Sequence, residues 1–498
     1  MSLVRSAFDR ALTSRARLAL AAALGVASVA CFAPFGLWWV QAPLLATLLA
    51  LADRDGRAFR IGAAFGAGLF GVGILWLWNS LYAIGQAPLP LALLVLAALV
   101  AIMALYHGAA LWLAARLAPA GAWRWLVAVP AAWTLVEWTR GWLLSGFPWF
   151  SLGYAHAEAP LGALAPLVGV HGLSFAALLA AAALRAAAAW RDRRALLALV
   201  LGAAPLVLGA ALAAQSWTEP TGAPRRVALV QADIAQDLKW DPDHALETML
   251  RYRALTLPIR KVDLIVWPEA ALPLLWHQLP TDYLDELTAP GRPPLVMGVL
   301  RQDLARDLYY NSVAVAAAEP QFYSKRRLVP FAEFFPVPAW VRDWLRLMSL
   351  PYADFERGAP DQPPLAVAGT KLGVSVCFED AFPDAMMAAL PDAELLVNVS
   401  NDAWFGDSIG PHQHLQIARL RAREAGRPLL RATSTGITAA FDHDGRELGR
   451  APQFEPAVLT VTVRPRAGLT PYARLREAPL LALCALLLAA AWWHGRRG

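Results

Sequence analysis

A bundle of membrane-spanning helices carrying an inserted α/β sandwich domain is the fold class this sequence predicts, and three observations predict it. Hydrophobic residues make up 58% of the 498 residues and charged residues only 16%, with a mean hydropathy of +0.43. Soluble globular chains are nearer about half apolar and a quarter charged. The apolar content is uneven: residues 18–215 are dominated by Ala, Leu, Val, Gly and Trp, and a last apolar run covers about 477–493. Between them, residues 225–465 alternate apolar and polar blocks like a soluble α/β protein.

A helix needs roughly 20 apolar residues to cross the hydrocarbon core. Eight candidates follow, at about 15–33, 36–53, 59–80, 88–113, 123–142, 161–184, 194–215 and 476–493. The first run follows Arg5, Arg10, Arg15 and Arg17. The FAPFG after it lacks a small-x-small cleavage pattern, so a retained helix is expected rather than a signal peptide. SGFPWFSLGYAHAEAP, within 140–165, reads as an irregular extramembrane or re-entrant segment.

Loop charges set the orientation. Arg54, Arg57 and Arg60, then Arg116 and Arg124, then Arg185, Arg191, Arg193 and Arg194, and finally Arg496 and Arg497 fall in alternate loops. The opposite loops are almost free of basic residues, Arg140 excepted. Under the positive-inside rule both termini are expected in the cytoplasm and residues 216–475 outside, the periplasm in a bacterium. The domain limits expected are thus 1–215, 216–475 and 476–498. The net charge of +6 and pI of 9.4 are accounted for by these tracts, so no nucleic-acid partner is implied.

Within the insert, RVALVQADI (226–234) reads as a strand and DHALETMLRYRALTL (243–257) as a helix with Asp243 as N-cap. DLIVWPEA is a short buried strand, 263–267, stopped by Pro268 with Glu269 immediately beyond. PPLVMGVL (293–300) and NSVAVAA (311–317) read as paired strands. TKLGVSVCFED places Cys377 just after strand 372–376, and AELLVNVSNDAWF is a strand running into a loop. A helix at 413–425 leads to two strands in PLLRATSTGITAAFDHDG, with an Asp-Gly turn at 444–445. Functional groups of α/β folds collect beyond the carboxyl ends of strands, where both Glu269 and Cys377 stand.

Cysteine usage adds one constraint. Cys31 and Cys484 lie in apolar spans and only Cys377 in the polar region, so there is neither a disulfide framework nor a CxxC motif. By itself Cys377 is either a small buried hydrophobe or a nucleophile.

VWPEAALP with Glu269, YSKRRLVPFAEFFP with Lys325 and Glu333, and VSVCFED with Cys377 resemble the three catalytic blocks of the nitrilase superfamily. Together with seven preceding spans and one following, they resemble its membrane-embedded branch, the bacterial apolipoprotein N-acyltransferases. CFAPFG (31–36), EWTRGWLLSGFPW (137–149), QADIAQDLKWDP (231–242) and SNDAWFGDSIGPHQHLQIARLRAREAGRPLLRATSTG (400–436) extend the likeness over nearly the whole chain. The resemblance implies a nitrilase-like αββα sandwich.

The resemblance also implies a reaction. An acyl chain passes from the sn-1 position of a phospholipid, typically phosphatidylethanolamine, to Cys377. From there it passes to the α-amino group of an N-terminal diacylglyceryl-cysteine on an apolipoprotein. Glu269 would be general base, Lys325 would stabilise the oxyanion, and Cys377 would carry the thioester in a ping-pong cycle. Glu333 would orient Lys325, and Glu379 would support the same network, with a structural ion pair the alternative for each. Neither metal nor nucleotide cofactor is implied, and a monomer is expected. Phe378 departs from the tyrosine common after the nucleophile, so no role for a phenol hydroxyl transfers here. Trp240 matches a site tryptophan or anchors a strand–helix turn. Asn311 lines the site or, as is usual for asparagine, makes a turn.

Lipid substrates require a site facing the bilayer. AWVRDWLRLMSL (339–350) places Trp340, Trp344, Leu347 and Met348 on one helical face, as an interfacial helix or a packed one. LPLLWHQL (272–279) is a second apolar loop able to act as a lid. His412 and His414 lack a third ligand at suitable spacing, favouring a loop role over zinc. Glu137 and Arg140 either pair at membrane depth or reach the interface. Two other functions compete: a membrane-tethered amidase using the same three residues, and a transporter or sensor with a silent external domain.

Overall fold

The computed structural model describes residues 13–53, 57–190, 192–334 and 355–497. It divides into two compact units, one of residues 1–215, 407–416 and 475–498, the other of 216–406 and 417–474.

The first unit is helical. Among the described residues five helices are long and apolar enough to cross a membrane: Ser14–Cys31, Leu89–Leu117, Pro160–Ala189, Arg193–Leu212 and Ala478–Arg497. Trp38–Ala52 and Ala58–Gly73 are shorter apolar helices. The stretch expected to span 123–142 is helical from Trp123 to Thr139, a π-helical segment, Trp123–Ala128, running directly into the α-helix Val129–Thr139. The segment after it is irregular, with 3₁₀ turns at Leu143–Ser145, Leu152–His156 and Pro160–Leu164.

Helices in lipid gain little from apolar burial against one another, so close backbone approach through small residues takes over. A Cβ added at Gly25 would lie 2.0 Å from the carbonyl oxygen of Phe65, and one at Gly68 would lie 2.0 Å from that of Ala22. The two helices therefore touch backbone to backbone. Glu137 and Arg140 do pair, at 3.9 Å, and both are buried. Glu137 also accepts from Leu152 N at 3.1 Å and from the Ser174 hydroxyl, while Arg140 Nη2 donates to Ser151 Oγ at 3.1 Å.

The second unit contains two six-stranded sheets. One is ordered β13 (Ala457–Val463), β2 (Arg225–Gln231), β3 (Leu264–Val266), β4 (Leu295–Asp303), β5 (Leu308–Ala316), β6 (Gln321–Ser324). The other is ordered β12 (Glu447–Arg450), β11 (Ala439–Phe441), β10 (Leu429–Thr433), β9 (Leu395–Ser400), β8 (Thr370–Val376), β7 (Leu365–Val367). A two-stranded ribbon pairs β1 (Glu219–Pro220) with β14 (Arg466–Ala467). The central strands β2–β3–β4 and β8–β9–β10 are parallel, with antiparallel strands at the edges.

Period-two alternation makes the layers. Val227, Leu229, Leu264 and Val266 join Val374, Val376, Val397 and Val399 in the core between the sheets. Their alternates Ala228, Val230 and Ile265 pack against Met249, Tyr252, Tyr283 and Leu287 of the helices Ala245–Thr256 and Thr281–Leu287. Strands buried on both faces read as continuous apolar runs, which is why LIV and LLVNV lack polar alternation. The two sheets thus face each other across one core, with helices on the outer face of the first.

Three local expectations change. Asp241, not Asp243, caps the turn before the helix, accepting from Asp243 N at 3.0 Å. The backbone of Pro242–His244 forms one 3₁₀ turn first, moving the cap two residues earlier. LPLLWHQL is not a free lid. Leu272 and Leu279 are buried, Trp276 stacks edge-on to Phe322 at 5.3 Å, and the segment packs onto the outer face of the first sheet. His412 and His414 sit in the helix Gly410–Ala425 rather than a loop, His414 buried against Trp149 at 5.5 Å. The expected helix at 339–350 lies outside the described residues.

Candidate active site

Glu269 stands three residues past the end of β3, where Pro268 ends the ladder. Ala270 follows in the left-handed region, φ 42°. The turn runs so close to β4 that a Cβ at Gly298 would sit 2.4 Å from Pro268 O and 2.5 Å from the Glu269 Cα. Only glycine fits there. Ala271 N and Gly298 N complete the contact, donating to Gly298 O at 2.9 Å and to Pro268 O at 3.2 Å.

Lys325 follows β6 and is 1% exposed. Its Nζ lies 2.9 Å from Glu333 Oε1 and 3.4 Å from Glu269 Oε1. Asn311, in mid-β5 and so not in a turn, donates through Nδ2 to Glu269 Oε1 at 2.7 Å and to Glu333 Oε1 at 2.8 Å. Glu333 Oε2 accepts from Val329 N at 2.8 Å. Two carboxylates therefore share one ammonium and one amide. Burial pulls the Lys325 ammonium down, but Glu333 and Glu269, with Cys377, more than offset it, and Lys325 is held charged well above its ordinary range.

Cys377 opens a 3₁₀ turn directly after β8, with φ 50°. A non-glycine residue in that region costs of order 1–3 kcal/mol and persists only where its surroundings impose it. Those surroundings are visible. Asn398 Nδ2 donates to Cys377 O at 3.1 Å and to Ser375 Oγ at 2.9 Å. Glu379 Oε2 accepts from Val376 N at 2.8 Å, immediately before the nucleophile candidate. Burial pushes the Cys377 thiol well above its usual range, Glu269 and Asp402 add to that, and Lys325 and a hydrogen bond with Ser400 oppose it.

Glu379 is fully buried and bridges the sheets. Besides Val376 N, it accepts from Tyr323 Oη at 3.0 Å, Arg326 N at 2.7 Å and Arg327 N at 3.0 Å. It thus links the loop after Lys325 to the turn at Cys377. Burial raises its carboxyl, and the backbone donors Val376, Arg327 and Arg326 oppose that. Phe378 packs edge-on to Phe382 at 4.9 Å. Trp240 caps the short helix Gln236–Lys239 and is 45% exposed, the most open of the candidate residues.

The structure brings Glu269, Lys325, Glu333 and Asn311 into direct hydrogen-bond contact and couples Cys377 to Glu269 and Lys325 electrostatically. Several further participants were not singled out as site residues, although Asp380, Ser400, Asp402 and Arg431 lie within segments that carry the family likeness. Behind Cys377, Arg431 donates to Asp380 Oδ2 at 2.9 Å, Asp402 Oδ2 at 2.8 Å and Asn398 Oδ1. Ser400 Oγ donates to Asp402 Oδ1 at 2.7 Å. The signal for them is a charge or amide inside an otherwise apolar strand, Arg431 in LLRAT and Asn398 in LLVNVS. Lys239 is also missed, its Nζ donating to Glu269 O at 3.1 Å.

Comparison with known proteins agrees with this architecture. Residues 24–183 match the apolipoprotein N-acyltransferase N-terminal domain, and 226–472 match the carbon-nitrogen hydrolase family. The apolipoprotein N-acyltransferase of Nitrosomonas europaea is 42% identical, over 97% of this chain and 98% of that one. That of Azotobacter vinelandii is 43% identical over 94% of this chain and 93% of its own, and that of Methylococcus capsulatus 40% over 94% of each. Full-length identity at this level, spanning both units, makes the chain a member of the apolipoprotein N-acyltransferase family, an acyltransferase of lipoprotein biosynthesis in the inner membrane.

Proposed function

We propose that this enzyme N-acylates apolipoproteins by a ping-pong route through a thioester on Cys377, with a phospholipid, phosphatidylethanolamine foremost, as acyl donor. The observation that carries the reading is the Lys325 ammonium shared by Glu269 and Glu333 and coupled to Cys377. In the first half-reaction Glu269 takes the thiol proton and Cys377 Sγ attacks the sn-1 ester carbonyl. Lys325 stabilises the oxyanion. The ester C–O bond breaks and Glu269 returns the proton to the departing lysophospholipid oxygen. In the second, the free α-amine of the diacylglyceryl-cysteine attacks the thioester carbonyl and its proton passes to Glu269. The C–S bond breaks, the amide forms, and the proton returns to Sγ. Glu333 and Asn311 hold Lys325 and Glu269 in register, and Trp240 and Phe378 line the entrance.

We also read residues 1–215 and 476–498 as an eight-span membrane domain with cytoplasmic ends. Residues 216–475 then form a periplasmic catalytic domain, and the enzyme works as a monomer. The arginine-bearing alternate loops support that orientation.

Purified full-length enzyme incubated with acyl-labelled phosphatidylethanolamine should form a hydroxylamine-sensitive adduct, absent in Cys377→Ala. Adding a diacylglyceryl lipopeptide should then move the label to its amine. An adduct persisting in Cys377→Ala removes the nucleophile, and release of free fatty acid without transfer makes the enzyme a hydrolase.

A further inference from the structure

Lys239 ends the short helix Gln236–Lys239 and is 1% exposed. Its Nζ donates to the Glu269 carbonyl at 3.1 Å and stands 5.7 Å from the centroid of the Trp240 ring. The helix itself is pinned, since Asn401 Nδ2 donates to Gln236 Oε1 at 2.7 Å. An ammonium has three donors, and among the described residues the Glu269 carbonyl is the one acceptor Lys239 meets. Burying a charge so poorly paired is costly unless neighbouring opposite charge sustains it. Among the described residues, the charged and titratable groups that act on it are Glu269 beyond β3 and Cys377 beyond β8.

Charge balance gives this lysine a purpose. Glu269 and Glu333 bring two negative charges into a buried site, and Lys325 supplies one positive charge between them. A like charge nearby disfavours a carboxylate, and a cation nearby offsets that. We propose that Lys239 is a positioning residue for Glu269. Its ammonium grips the Glu269 carbonyl, holding the Pro268–Ala270 turn, and sets a second positive charge beside Glu269. The inference rests on Glu269 being the base of the proposed reaction.

Burial holds the Lys239 ammonium down to about 8, against the opposing pull of Glu269 and Cys377. Lys239 is therefore charged below about pH 8, and its support for Glu269 is lost as pH rises through that value. The test is the rate of Cys377 acylation by labelled phosphatidylethanolamine against pH, in the full-length enzyme without lipopeptide, so that no acceptor amine takes part. The wild type should show an alkaline limb near pH 8. Lys239→Arg, which stays charged, should move that limb up by at least about one pH unit. Lys239→Met, which lacks the ammonium at every pH, should remove the limb and slow the reaction roughly tenfold below it.

A lysine that held the turn without its charge would lower the rate and the melting temperature while leaving the alkaline limb in place, and that result overturns the proposal. Should Lys239→Met fail to fold, the alkaline limb of Lys239→Arg decides alone: unmoved, it overturns the proposal. Glu269→Gln separates the two readings. A wild-type adduct rate in that variant removes the base and Lys239's role with it. Loss of the adduct there, with an unmoved alkaline limb in the Lys239 variants, removes the lysine's role only.

Discussion

Asn311 shows how one neutral side chain controls two charged ones. Its single amide nitrogen donates to both Glu269 Oε1 and Glu333 Oε1, the oxygens that face the Lys325 ammonium. Removing it strips a donor from each carboxylate, and hydrogen bonds to charged groups are worth about 1.5–3 kcal/mol. Asn311→Leu should therefore slow Cys377 acylation by at least roughly tenfold with little change in protein yield, measured by the labelled adduct. Lys325 has a separate electrostatic effect. It is the charge that opposes burial, Glu269 and Asp402 at the Cys377 thiol. Without it the thiol is held higher still, so at any fixed pH less thiolate is present. Lys325→Met should slow iodoacetamide alkylation of Cys377 and move its pH profile upward, with the rate at fixed pH falling roughly tenfold per pH unit moved. Unchanged or faster alkylation would show that Lys325 does not reach the thiol.

At the scale of elements, both halves depend on close backbone contacts made through glycine. Gly298 lets the Glu269 turn lie on β4, and Gly25 and Gly68 let the helices Ser14–Ser28 and Ala58–Gly73 meet. The helix contact provides its own control. A Cβ at Gly68 would stand 2.0 Å from Ala22 O, whereas Gly71 in the same helix meets nothing within 4 Å. Overpacking costs about 1–3 kcal/mol where neighbours yield, and here the neighbour is backbone. Gly68→Leu should lower the melting temperature in detergent by several degrees. Gly71→Leu should leave it unchanged, and equal effects would refute the contact.

For the whole molecule, the central prediction is sidedness. Leu304 lies at the β4–β5 turn and is exposed, and Arg116 is an exposed basic residue at the end of the helix Leu89–Leu117. With a membrane-impermeant maleimide, Leu304→Cys should label in intact spheroplasts above the parent background. Arg116→Cys should label only after permeabilisation. The reverse pattern would invert the proposed orientation.

Much of this was legible in the sequence because the signals are local. Long apolar runs, strands broken by Pro268 or ending at Cys377, and the blocks around Glu269, Lys325 and Cys377 are properties of contiguous residues. The limits were less legible: the helix expected at 123–142 winds as a π-helix over its first residues and ends at Thr139, and LPLLWHQL packs onto a sheet face that hydrophobicity alone cannot distinguish from a lid. Sequence by itself determined the two kinds of architecture and the three candidate catalytic residues. Only tertiary structure decided that Asn311 in mid-strand bridges two carboxylates, that Glu379 ties one sheet to the other, and that a lysine beside Trp240 reaches the Glu269 carbonyl. The physical reason is that each joins segments tens of residues apart. A buried charge is defined by what surrounds it, and no window of sequence contains that.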